Sequence, residues 1–122
     1  MVKEEIIKDL SARLPYGVMV SINGSSPQKL RKIEYIGGDY AINDIMTSDV
    51  KAYLLPLESM SDKDKEDFNK VIEAELFNDV ITEGPSCNAT ILEVDFYNEN
   101  HYDYRNLNKT GDAIDSTNLN LY

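Results

Sequence analysis

The 122 residues suffice for one domain with a modest core, and 42% apolar against 28% charged side chains excludes general disorder. A single cysteine, Cys87, excludes an internal disulfide framework and a cysteine-rich zinc site. The formal net charge of −10 makes nucleic acid and anionic membrane unfavourable partners for the molecule as a whole. That charge is unevenly placed: residues 1–57 balance seven Lys or Arg against seven Asp or Glu, so the whole acidic excess falls in 58–122. Such segregation is the pattern of an acidic interaction surface, and equally of a solvated face that keeps a small protein soluble. No apolar run resembles a signal peptide and none approaches the ~20 residues of a membrane span, so the expectation is a cytoplasmic protein without a membrane partner.

In chain order, Val2, Ile6 and Leu10, with Ile7 and Leu14 beside them, recur at helical spacing, and Glu4 and Lys8 form an i,i+4 pair. Pro15 stops that helix. Val18 to Ile22 alternates as a strand with Val18, Val20 and Ile22 on one face, and Asn23-Gly24-Ser25-Ser26-Pro27 supplies a turn to an antiparallel neighbour. The second strand, Gln28 to Ile36, changes phase between Leu30 and Ile33, which a β-bulge near Arg31-Lys32 would reconcile. After Gly37-Gly38-Asp39 comes a short third strand, Tyr40 to Asn43; Ile45 to Ser48 reads as irregular, and Asp49 to Leu55 as a fourth strand.

Pro56 keeps the chain extended before a long helix that starts at the N-cap Ser61, with Asp62, Asp64, Glu66 and Asp67 favourably placed in its first turns. Phe68, Val71, Ile72, Leu76 and Val80 make its apolar stripe. That stripe is expected to cover the strand face of Val18, Val20 and Ile22. Gly84-Pro85 breaks the chain; a strand runs from Ser86 to about Val94, and Asp95 caps a short helix through His101. The expected architecture is α+β: a small curved antiparallel sheet, in the limit a partial SH3-like barrel, with an N-terminal helix and a long central amphipathic helix. Residues 1–107 form that domain and 108–122 a polar, flexible tail.

Two groups of residues are candidates for function. Tyr97, Tyr102, Tyr104 and Arg105 have the composition of a protein-binding hot spot, and Asp62 and Glu66 represent the acidic face of the long helix. Tyrosines at a core edge would have the same composition. Alternatively, His101 with Asp95, Glu99 and Asp103 offers an acid–base or divalent-metal centre, since a carboxylate orients an imidazole and raises its pKa. One histidine and no diagnostic spacing make that a weak pattern.

Lys29, Arg31 and Lys32 form a basic ribbon that suits phosphate contact or the guarding of a strand edge. Gly37-Gly38-Asp39 lacks the Lys and Ser/Thr of a phosphate loop, and Ser25, Ser26 and Cys87 lack a neighbouring base. No cofactor is implied and nothing specifies an enzyme. The expectation is a non-enzymatic protein-interaction or accessory protein, with DNA mimicry by the acidic half as its sharpest form. The alternative is a small metal-dependent hydrolase or nuclease centred on His101.

Leu14-Pro-Tyr-Gly-Val18, Tyr53-Leu-Leu-Pro-Leu-Glu-Ser-Met60 and Asp95-Phe-Tyr-Asn-Glu-Asn-His-Tyr-Asp-Tyr-Arg-Asn-Leu107 together resemble a family of small uncharacterised proteins of gut Bacteroidetes and their prophages. The resemblance covers roughly residues 10 to 107. It implies a mobile-element gene with an accessory or host-interaction role. Where that pattern has two adjacent histidines this chain has Asn100-His101, which weakens a metal or acid–base role there.

Overall fold

Seven residues of extended chain, β6 (Val50–Pro56), form the strand on which the main sheet is built. The computed structural model describes residues 2–75, 82–84 and 87–122. The first half of β6 runs antiparallel to β1 (Met19–Ile22), with Val20 opposite Ala52 and Ile22 opposite Val50. Beyond β1 lies β2 (Gln28–Lys29). On its other side, β6 pairs in parallel with β10 (Ala113–Asp115) along residues 52–54 and with β9 (Tyr102–Asp103) along 55–56. The sheet is open and mixed. With the helices it makes an α+β fold, and within this sheet the antiparallel expectation holds for β2–β1–β6, while β9 and β10 join β6 in parallel.

The helix that covers this sheet is α1 (Glu4–Arg13), where the expectation had placed the long central helix. Val2, Ile6 and Leu10 pack with Val18, Val20, Ile22, Val50, Ala52 and Leu54 in one buried cluster, completed by Leu30, Ile42, Leu107 and Ala113. A three-residue 3-10 turn containing Pro15 ends α1, and Gly17 at φ +72° redirects the chain into β1.

The predicted bulge at Arg31-Lys32 is a change of sheet. β3 (Ile33–Ile36), β4 (Asp39–Ile42) and β5 (Ile45–Thr47) form a separate antiparallel meander, so all but Ser48 of the Ile45 to Ser48 stretch expected to be irregular is a strand. One buried side chain makes the junction: Asn43 Oδ1 accepts the N–H groups of Arg31 at 2.6 Å and Lys32 at 3.1 Å, while its Nδ2 donates to the Lys29 carbonyl at 2.7 Å. Its own backbone is left-handed, at φ +51°. Asn43→Gly keeps that conformation but strands three backbone groups, and is expected to cost about 2 kcal/mol, read from the urea midpoint.

Following β6, a second 3-10 turn leads into α2 (Asp62–Glu75), whose Ser61 cap accepts the Asp64 N–H at 3.1 Å as its sequence demands. α2 packs on α3 (Ile91–Glu99), Phe68 lying 5.3 Å from the rings of both Phe96 and Tyr97. Val71 is half-buried and Ile72 is 40% exposed, which corrects the expectation that they line the sheet; Leu76 and Val80 lie outside the described residues. β7 (Thr82–Gly84) and β8 (Cys87–Thr90) pair as a short hairpin, with Pro85 outside the described residues.

The strand expected to reach Val94 ends at Thr90. Val94, Phe96 and Asn98 are all buried on α3, and in a helix Phe96 lies well round from the other two, so more than one side is covered. Burial on several sides mimics strand alternation in sequence. The expected flexible tail is also corrected: α4 (Leu107–Thr110) and β10 belong to the packed structure, because Leu107 and Ala113 fill the core and β10 finds its ladder partners on β6.

Candidate functional site

Around the Arg13 end of α1, the α3–β9 corner and the β9–α4 loop, charged groups gather in the interior. Asp9 and Arg13 stand one helical turn apart and are essentially without solvent exposure. Arg13 Nε donates to Asp9 Oδ2 at 3.0 Å, and its Nη2 and Nη1 donate to the carbonyls of Tyr102 at 2.5 Å and Tyr97 at 3.4 Å. Arg105 Nε lies 3.4 Å from the other Asp9 oxygen. Burial pushes the Asp9 carboxyl upward, against the opposing pull of the two guanidiniums. Both arginines also approach the Tyr104 ring, their Cζ atoms 5.4 and 4.9 Å from its centroid.

The expected aromatic cluster exists but is turned inward. Tyr97 stacks between Phe68 and Tyr104 at 5.3 and 5.5 Å, Tyr102 is buried beside Phe96, and Arg105 is buried against Asp9. The Tyr102 hydroxyl donates to Asp64 Oδ2 at 2.6 Å; burial first, then that carboxylate, raises its pKa to about 12. Tyr102 and Arg105 therefore serve as internal struts between α1, α2 and β9. Asp62 and Glu66 stand exposed on α2 as expected.

The alternative set does not converge. Asp95 and Glu99 are exposed on α3, whereas Asp103 is buried and spends its two oxygens on the N–H groups of Leu107 and Asn108, each at 2.9 Å, at the start of α4. Among the described residues, no three His, Cys, Asp or Glu side chains gather as metal ligands. His101, at φ +62°, lays its ring on Tyr122 with centroids 3.9 Å apart, and the Tyr122 hydroxyl bonds both the Met19 N–H at 2.8 Å and the Tyr53 carbonyl at 2.7 Å. Burial, then the nearby Arg13 charge, lowers the His101 pKa to about 4, so it is neutral at pH 7.

Between about pH 6.5 and 4 the unfolded chain binds a proton that folded His101 refuses, so stability falls as the pH drops through that window. Between pH 7 and 5 the wild type is expected to lose about 2 kcal/mol more than His101→Asn, which tolerates the left-handed backbone but does not titrate. Urea melts of both proteins at the two pH values measure this.

An open groove of about 480 Å³ lies beside the cluster, lined by Glu4, Glu5, Ile7, Lys8, Tyr40 and Arg105. Sequence reasoning missed Asp9 and Arg13 altogether. The signal was present: at 100° per residue both fall on the Val2 and Ile6 side of α1, a charged pair on an apolar face. Among the described residues, no helix is long and apolar enough to cross a membrane. No family model, curated protein or solved structure matches the chain.

Proposed function

We propose that this chain is a non-enzymatic interaction protein of accessory type that presents the outer face of α2 to a basic surface on another protein. The observation that carries the reading is the division of labour between its charged groups. Asp9, Arg13, Asp103 and Arg105 are spent on internal contacts, whereas Asp62, Glu66 and Glu73 are exposed on α2. At 100° per residue those three acids fall within a 40° arc, opposite the side that packs Phe68 on α3. The net charge of −10 favours encounter with a basic partner.

The test is quantitative affinity capture from the native host with wild type and with Glu66→Lys/Glu73→Lys, two exposed changes that leave the packed side of α2 intact. A basic protein held by the wild type and lost from the double variant supports the reading. Equal recovery of every protein by both baits would sink it, as would turnover of a substrate by the purified chain.

A further inference from the structure

β3 is an edge strand: among the described residues it pairs with β4 alone. The direction of its free groups follows from the hairpin. Gly37 and Gly38, at φ +59° and +90°, make a two-residue turn, so Ile36 and Asp39 are the closing hydrogen-bonded pair and Glu34 with Ala41 is the next. Lys32 continues that phase, its carbonyl accepting the Asn43 N–H at 2.9 Å. The N–H and C=O of Ile33 and Tyr35 therefore point away from β4. Beside them Tyr35 is 66% and Ile36 51% exposed, an apolar edge that carries no proline.

We infer that this edge pairs with itself: a second copy of the chain docks antiparallel on β3 about a two-fold axis through Ile33. In that register Ile33 faces Ile33 of the second copy and exchanges both backbone hydrogen bonds with it. Lys32 faces Glu34 of the second copy, and Glu34 its Lys32. Tyr35 faces Arg31, whose N–H is already held by Asn43 Oδ1, so the paired backbone groups centre on Ile33. The order Arg31-Lys32-Ile33-Glu34-Tyr35 is complementary to itself when reversed, and this selects a second copy over a foreign strand. Basic residues alone would repel another copy and guard the edge; Glu34, two residues on, turns the guard into a match. Within one chain Lys32 Nζ already lies 2.7 Å from Glu34 and 3.2 Å from Asp44, so the paired edges join two such clusters into one network. The two meanders then become one six-stranded sheet.

Sedimentation equilibrium over roughly 5 to 500 µM covers the range expected of so small an interface. The wild type is expected to rise from the 13.8 kDa monomer towards twice that mass. Lys32→Glu and Glu34→Lys each place like charges opposite one another and are expected to weaken association at least tenfold. Their equimolar mixture restores both pairs and is expected to return association to within about threefold of wild type. Each variant alone also loses its internal Lys32–Glu34 bridge, and mixing cannot repair that, so recovery on mixing reports the contact between chains. A wild type monomeric throughout overturns the inference. So does a dimer indifferent to both reversals, or an edge that binds added extended peptides while the chain stays monomeric.

Discussion

Arg13→Ala is expected to cost about 3 to 5 kcal/mol, which is a large share of the roughly 5 to 15 kcal/mol by which a domain of this size is stable. The guanidinium is fully buried and satisfies three acceptors: the Asp9 carboxylate and the carbonyls of Tyr97 and Tyr102. Truncation leaves Asp9 with Arg105, at 3.4 Å, in place of two guanidiniums, and opens a polar cavity under the Tyr104 ring. Removal of one partner from a buried pair costs more than replacement of both, because the survivor keeps its charge without its solvent. The double change Asp9→Leu/Arg13→Met is therefore expected to be less damaging than the sum of its parts by more than 1 kcal/mol. Urea midpoints at constant slope measure both, with exposed Lys63→Ala as the near-neutral control. A wild-type midpoint for Arg13→Ala would remove the cluster from the account of the fold.

What could be read from the chain without its structure was whatever is decided within a few residues. The α1 stripe, the Ser61 cap, the Asn23-Gly24 turn and the extended run before Pro56 all depend on local chemistry, and all are found. The failures are non-local. Asn43 ends one sheet and starts another by bonding to residues 11 to 14 positions away, so a phase change at Arg31 resembled a bulge. β10 exists because β6 presents an unpaired edge to it, and its three residues carry no strand pattern of their own. α3 hid its period because it is covered on more than one side. Among site residues, Tyr102 and Arg105 were noticed for their chemistry, yet whether such groups face solvent or Asp9 is decided by how α1 docks. Asp62 and Glu66 were legible because a helix's outer face follows from its inner one.

The same distinction separates two apolar helix stripes that look alike in sequence. Leu10 on α1 has no exposed surface and belongs with Val20 and Leu54 to the core cluster, while Ile72 on α2 keeps 40% of its surface in water. Leu10→Ala is expected to cost about 2 to 5 kcal/mol, because the lost burial is joined by a cavity between α1 and the sheet that neither can collapse to fill. Ile72→Ala is expected to cost under about 1 kcal/mol, since water already meets much of the side chain. The contrast is sharper with a charge. Leu10→Asp buries an unpaired carboxylate and is expected to abolish folding, whereas Ile72→Asp extends the exposed acids of α2 and is expected to melt within a few degrees of wild type. Thermal melts of the four variants decide it: a collapsed Ile72→Asp beside an intact Leu10→Asp would exchange the roles of the two helices and put α2 back on the sheet.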